Sequence, residues 1–431
     1  MSWKDALRST LGKVGILQCY RAVKALVWNV RVLHYRKHRL PEVVREKSRK
    51  GKLNVVFLAT NVSMWKHDGL FRLLQKHSRF RPIVVSAMRP NESEEEQRAD
   101  QEQMEKFFTE RGFEFVCGFD FESRRWISLK SLNPDILFYT QPYTGIVVPE
   151  YYFHKYLNAL QCYVPYAFET TAEKWTYDNP YQNSAWKIFL PTELHKADAQ
   201  DLSDIKAVNS CVAGYPMADE YATKRQGLGV WEKTFPQCKK IIWAPHHSIT
   251  SREMFGSSSF LQYCDAMLDL AKKYSDKIVF AFKPHPGLLT RLYRLWGKEK
   301  TDSYYAEWEN MGNAFVSRGE YRDLFLESDA LIHDCGSFTV EYLYTQKPTM
   351  FLYKENRTAR ESKFGKLALD VHFAGHSLRD IERFIEEVVL GGNDPKKELR
   401  ERFYNKYLLP PNGQSAAQNI LDEIERGLGW K

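Results

Sequence analysis

From Leu53 onward, short apolar runs alternate with stretches of helical periodicity. LNVVFLAT, RPIVVSA, FEFVCG, DILFYT, LQCYVPY, KIFLPT and AVNSCVAGYP have the length and side-chain type of strands. GLFRLLQKH, the acidic 92–111 segment and a pattern starting near Glu193 are helical. Residues 217–238 are polar and carry no strand, and the alternation then restarts. IIWAPHH, KIVFAFKPHP, NAFVSRG, DALIHDCG and PTMFLY are strands, with helices in FLQYCDAMLDLAKKY and SFTVEYLYTQ. Runs of Val, Ile and Phe without polar alternation suit strands buried on both faces, and such strands belong to parallel sheets covered by helices. The pattern predicts an α/β chain of two successive doubly wound, Rossmann-like domains. The expected boundaries are 51–216, a linker at 217–238, 239–400, and closing helices at 401–431.

The segment before Leu53 follows a different rule. In CYRAVKALVWNVRVL, helical spacing puts Val23, Leu26, Val27, Val30 and Leu33 on one face and Arg21, Lys24 and Arg31 opposite. The basic tract YRKHRLPEVVREKSRKGK follows. Charge sharpens the contrast: residues 1–52 hold 14 Lys/Arg and 3 Asp/Glu, a net of +11, so the other 379 residues of this +8 chain have a net of −3. Residues 1–50 therefore have the character of a helix lying on an anionic membrane surface. A helix packed on the protein's own body satisfies the same pattern. Nucleic acid is a poorer partner, because no interleaved aromatic platform accompanies the charge. No run of about 18 apolar residues exists to span a bilayer, and no secretory leader pattern opens the chain. The seven scattered cysteines form no CxxC pair, so the sequence predicts a reducing cytoplasm and neither a disulfide framework nor a metal site.

In an open parallel sheet, ligands sit beyond the carboxyl ends of the strands. Three such ends in the second half carry unusual residues. After IIW come Pro245, His246, His247 and Ser248; after IVFAF come Lys283, Pro284, His285 and Pro286; after ALIH come Asp334, Cys335, Gly336, Ser337, Phe338 and Thr339. Each offers hydrogen-bond donors or an imidazole where a helix is about to begin, and helix N-termini add free N–H groups. Together they suit a phosphate or pyrophosphate. Ser337 alone reads equally well as an N-cap, with Asp334 fixing the turn. Neighbours in a strand point to opposite faces, so one of His246 and His247 is expected to face the ligand. His333 suits packing. No P-loop, HExxH, GxSxG or Asp-x-Asp motif is present.

The stretch SDALIHDCGSFTVEYLYTQKPTMF, with KPHP and NSCVAGYPMADEY, resembles the CDP-glycerol glycerophosphotransferase family of teichoic-acid and capsule synthesis. The likeness covers most of residues 205–355, and the first half looks like a divergent branch, marked by NVVFLATNVSMWKHDGLFRLL and PDILFYTQPY. The resemblance implies a GT-B-type fold, an acceptor domain followed by a CDP-donor domain, no cofactor, and a peripheral position on the inner face of a bacterial membrane. It departs at one place: where members carry His-Gly-Thr-Pro in the first domain, this chain has Cys162-Tyr163-Val164-Pro165-Tyr166. Either another residue removes the acceptor's proton, or the acceptor differs. His67 and Glu169 are candidates, and Tyr163 and Tyr166 are candidates to position a sugar or polyol.

The expected chemistry is attack of an acceptor hydroxyl on the β-phosphorus of CDP-glycerol or a similar CDP-polyol, with CMP leaving. The acceptor is a glycan or a lipid-linked molecule. His285, the helix after Ser337, and the hydroxyls of Ser337 and Thr339 would hold the pyrophosphate, with Lys283 adding charge and Glu341 accepting from ribose hydroxyls. A glycosyltransferase or nucleotide-sugar epimerase using a UDP- or CMP-sugar shares the fold and the phosphate-binding logic. A non-enzymatic membrane-surface binding protein would explain the basic helix but not three polar strand ends.

Overall fold

The computed structural model describes residues 27–89, 92–143, 145–222, 229–233, 235, 237–249, 258–319, 321–354 and 361–431. Val23 and the rest of the predicted surface helix before residue 27 lie outside these. In chain order the strands are β1 (Leu53–Ala59), β2 (Phe80–Ser86), β3 (Phe115–Val116), β4 (Phe119–Asp120), β5 (Arg125–Trp126), β6 (Ile136–Tyr139), β7 (Leu160–Tyr163), β8 (Lys187–Leu190) and β9 (Ser210–Val212). The second series is β10 (Lys239–Ala244), β11 (Ile278–Phe282), β12 (Ala314–Val316), β13 (Ala330–His333), β14 (Thr349–Leu352) and β15 (Phe373–Gly375).

Two open sheets result. The first runs β3-β2-β1-β6-β7-β8-β9 and the second β12-β11-β10-β13-β14-β15. Every pair within them is parallel, and the apolar runs are buried from end to end, as in the five residues of β11. The expected pair of Rossmann-like domains is therefore present. The antiparallel hairpin β4–β5 and the short edge strand β15 were not legible as strands, because neither carries a sustained apolar run. In each sheet the chain winds outward on one side, then crosses to the other. The crossing leaves a crevice between β1 and β6 in the first sheet and between β10 and β13 in the second.

The end of the chain closes the first domain. In the helix Ala416–Gly427, Ala417, Ile420, Leu421 and Ile424 join the core built from Leu53, Phe57, Leu70 and Leu74. Asp219, in the helix Met217–Tyr221 of the predicted linker, accepts from the N–H groups of Ala416 and Ala417 at 2.9 Å each. The outgoing and returning segments touch at Gly214, whose φ is +90°; a Cβ there would lie 2.7 Å from that of Pro410. The predicted linker also contributes Trp231, 3% exposed, to the second core.

The basic segment is only partly a surface element. Tyr35, Leu40 and Val43 belong to the first core. Arg36 donates to the carbonyls of Asn183 and Ala185 at 3.2 and 2.9 Å, and Lys47 and Lys50 pair with buried Asp135 at 3.2 and 2.7 Å. From residue 35 on, the expectation of a membrane-lying tract gives way to packing on the body. Residues 27–34 are helical and expose Val27, Val30 and Leu33, while Val32 is buried. Among the described residues, no helix is long and apolar enough to cross a membrane.

If the last helix is structurally part of the first domain, Ile420→Ala should lower that domain's stability by about 2–5 kcal/mol. Equilibrium urea unfolding, followed by tryptophan fluorescence, checks this.

Candidate active site

The register of the second sheet levels its strand ends. Trp243 of β10 lies opposite Phe282 of β11 and Ile332 of β13. The residues that follow each strand therefore emerge together at the crevice. The N–H of His285 donates to the Pro245 carbonyl at 3.0 Å, which ties two of these ends. Asp334 ties the third. Its carboxylate accepts from the His246 N–H at 2.5 Å, the Ser259 N–H at 2.6 Å and the Ser259 hydroxyl at 2.9 Å. Asp334 is 3% exposed, and burial pushes its carboxyl up against the opposing pull of those bonds. Expected to meet the donor, it instead holds the rim together.

Three imidazoles gather on that rim. Ring centroids are 4.1 Å apart for His246 and His247, 4.2 Å for His247 and His285, and 5.0 Å for His246 and His285. One potential ligand nitrogen from each lies within 4.8 Å of the others, so the trio has the makings of a cation site that the sequence did not suggest. Local bonding fixes two tautomers. His285 Nδ1 accepts from the Gly287 N–H at 3.1 Å, capping the helix Pro286–Trp296. His246 Nδ1 accepts from the Ser248 N–H at 3.3 Å and lies 2.8 Å from the Ser248 hydroxyl. A neutral imidazole whose Nδ1 accepts carries its proton on Nε2. His246 and His285 therefore present N–H donors, which suit an anion better than a metal. Burial, then the neighbouring His246 and His247, then Arg291 and Arg89, push His285 down to about 2. It is neutral at any ordinary pH.

The β13 end separates into two groups. Gly336 is exposed with open space where a Cβ would stand, and the Ser337 hydroxyl makes no cap bond. Both remain available to a ligand. Thr339 turns inward to donate to the Cys335 carbonyl at 3.1 Å, and Phe338 packs on Tyr321 and Phe325. Glu341 is 1% exposed and accepts from the Tyr215 hydroxyl at 2.9 Å and from the Tyr321 hydroxyl. That carboxylate is buried and engaged by tyrosines of both domains, which leaves it no exposed face for a ribose. Lys283, 6% exposed, donates to the Gly319 carbonyl at 2.6 Å, and Ser248 is engaged with His246.

Across the crevice, the first domain differs from expectation at His67. Its ring is 2% exposed and packed among Phe57, Trp65 and Phe138, and burial pushes its pKa down to about 3. It does not face the cleft. Glu169 has a carboxyl pushed up by burial to about 7. Tyr166 is half-buried beside Glu169, and the Tyr163 hydroxyl meets that of Tyr143 at 3.3 Å. Arg89 of the first domain acts electrostatically on both Tyr166 and His285. Neither Arg89 nor Arg291 stood out in the sequence, since a lone Arg in a loop or helix carries no motif.

Residues 180–426 match the family model described as CDP-Glycerol:Poly(glycerophosphate) glycerophosphotransferase. No curated protein matches the sequence significantly. Among solved structures, a variant of the wall teichoic acid polymerase TagF aligns with TM-score 0.57 and 14% identity, over 94% of this chain and 98% of that one. The same kind of variant soaked with CDPG gives 0.55 and 13%, over 94% and 98%. The UDP-GlcNAc 2-epimerase of Neisseria meningitidis bound to UDP-GlcNAc gives 0.54 and 14%, over 86% and 99%. These likenesses establish the fold: two parallel-sheet domains of GT-B type.

The rim and the ligand-facing groups should separate in stability measurements. Asp334→Ala leaves buried N–H groups without an acceptor and should cost about 3 kcal/mol or more. Ser337→Ala should stay within about 0.5 kcal/mol of the parent. Thermal unfolding of both variants checks the contrast.

Proposed function

The chain belongs to the CDP-glycerol:poly(glycerophosphate) glycerophosphotransferase family, and on that premise we propose that it moves glycerol phosphate, or a similar polyol phosphate, from a CDP-linked donor to a hydroxyl of a glycan or lipid-linked acceptor. The observation that carries this reading is the gathering of His246 and His285 at the crossing point of the second sheet, with Gly336 and Ser337 following the adjoining strand β13. Two Nε2–H groups, a hydroxyl and open backbone at Gly336 make a site rich in donors, with Arg89 and Arg291 supplying charge. Such a set matches the diphosphate of a nucleotide donor.

In the proposed reaction the acceptor oxygen attacks the β-phosphorus. The bond from that phosphorus to the bridging oxygen breaks, and CMP leaves with the electron pair. Phosphoryl transfer asks mainly for positioning and for stabilisation of spread negative charge. The neutral imidazole of His285 donates a hydrogen bond to the diphosphate without needing to be cationic. Glu169 is the base for the acceptor proton: a carboxyl near 7 is half ionised at neutral pH and strong enough to accept. Closure of the crevice would bring it to the donor. A UDP- or CMP-sugar is the competing donor class. Thermal shift with CDP-glycerol, CDP-ribitol, UDP-sugars and CMP-sugars separates the two, and a shift with UDP-sugars alone would reverse the assignment.

The exposed row Val27, Val30 and Leu33, preceded in sequence by basic residues, supports docking on an anionic membrane at the cytoplasmic face. Val30→Asp with Leu33→Asp should abolish cosedimentation with phosphatidylglycerol vesicles and leave the unfolding temperature unchanged.

Two kinetic outcomes are expected. His285→Ala and Ser337→Ala should each lower kcat about 10²-fold or more with the fold intact. With Glu169 as base, kcat/KM should fall about tenfold per pH unit below pH ~7, and Glu169→Gln should remove that limb along with most of the activity. A pH–rate profile of parent and variant, using radiolabelled CDP-glycerol, measures both.

A further inference from the structure

The loop that carries Glu169 has no regular structure of its own. Residues 164–170 are neither helix nor strand, and they run from the end of β7 toward the turn Lys174–Tyr177. Such a loop is ordinarily among the more mobile parts of a fold. Here three of its carbonyls are held from elsewhere. The Tyr166 carbonyl accepts from the Tyr215 hydroxyl at 2.8 Å, and the Glu169 carbonyl lies 3.1 Å from His195 Nε2. The Thr170 carbonyl accepts from the Ser362 N–H at 2.9 Å, and Thr171 bridges to Glu361 in antiparallel fashion.

Much of this hold comes from the second domain. Ser362 caps the helix Lys363–Asp370, its hydroxyl accepting from the Gly365 N–H at 3.0 Å. The first turn of that helix is pressed against the loop. A Cβ at Gly365 would stand 2.0 Å from the Thr170 carbonyl oxygen and 2.9 Å from the carbonyl carbon, so only glycine admits the approach. Phe364 is fully buried and stacks on Phe168, with centroids 5.4 Å apart and planes at 12°. Its ring also lies 4.5 Å from that of His195, whose other nitrogen is 2.8 Å from the Thr192 hydroxyl. The Tyr215 hydroxyl that reaches Tyr166 also reaches Glu341 at 2.9 Å, on the helix that opens at Ser337. The residue before Glu169 is thus stacked on the second domain, and the residue after it is hydrogen-bonded to that domain.

We infer that Phe364 and Gly365 are positioning residues for the transfer reaction: they seat the loop 166–171 and so place the Glu169 carboxyl for the acceptor hydroxyl. The inference rests on reading Glu169 as the base. Neither residue has to touch a substrate. A displacement of about 1 Å at a reacting group can cost about 10²-fold in rate, so a close approach that only glycine allows has a direct use here.

Gly365→Ala is the direct test, because the added methyl must push the Thr170 carbonyl away. Phe364→Leu is a milder disturbance of the same contact: it stays apolar and loses the stack. Both should lower kcat about tenfold or more, with the KM for CDP-glycerol and the CDP-glycerol thermal shift unchanged. A displaced loop lets water reach Glu169, whose carboxyl burial holds at about 7. Its pKa should then fall, and the low-pH limb of kcat/KM should move to lower pH. Carbon-13 NMR of glutamate-labelled protein, with Glu169→Gln assigning the resonance, reads the same titration without turnover. Adding Gly365→Ala to Glu169→Gln should slow turnover no further, since the glycine acts through that carboxyl. An unmoved Glu169 titration in both variants, or a full further loss in the Glu169→Gln background, would overturn the positioning role and leave the base standing. Undiminished activity of Glu169→Gln alone would instead remove the base, and this inference with it.

Discussion

A single buried carboxylate fixes the geometry of the strand ends in the second domain. Asp334 leaves β13 and receives two backbone N–H groups and a hydroxyl from residues 75 and 88 positions earlier in the chain. An ionised carboxylate out of water is costly unless its lone pairs are filled by good donors. Here they are filled, so the ends of β10 and β13 and the start of the helix Phe260–Lys273 are held as one rim. The cost of burying Asp334 thus enforces a particular arrangement of the loops around it. With the backbone N–H of His246 committed to Asp334, the side chains of His246, His247 and His285 are what the rim offers to a ligand.

A second buried carboxylate plays a comparable part between the domains. Glu341 accepts from Tyr215, on the segment leaving the first domain, and from Tyr321 of the second. Lys66 of the first domain donates to the Tyr321 hydroxyl at 3.0 Å, and Arg322 pairs with Glu220. The crossing at Gly214 and Pro410 and the capping of the last helix by Asp219 lie in the same region. Apolar packing joins these polar pairs at the junction, where Phe168 of the first domain stacks on Phe364 of the second at 5.4 Å within one buried cluster.

The architecture was legible in the sequence because buried parallel strands have a strong local signature. Strand and switch-point together also narrowed the candidate site, since only a few positions follow the carboxyl ends of β10, β11 and β13. The orientation of individual side chains was not legible. His67 follows β1 in sequence, yet the turn Val62–Met64 brings it back against the central strands β1 and β6, into Phe57, Trp65 and Phe138. Asp334, Thr339 and Glu341 lie on the correct segment, but their partners are distant residues that no local pattern announces.

The charge state of the imidazoles follows from this arrangement and explains how a site can be ready for an anion without being strongly cationic. Three rings within about 5 Å cannot all carry protons, and Arg89 and Arg291 push His285 further toward neutrality. Capping of the helix Pro286–Trp296 then fixes which nitrogen keeps the proton. The result is an N–H donor held at a set position by backbone geometry, independent of pH over the working range. With the proposed diphosphate bound, its charge would offset the repulsion from both arginines and favour protonation of the same ring. The imidazole is therefore a neutral donor before the ligand arrives and becomes easier to protonate once charge is present. Electrostatic stabilisation of this kind grows with the charge that develops, which is the property a phosphoryl-transfer site needs.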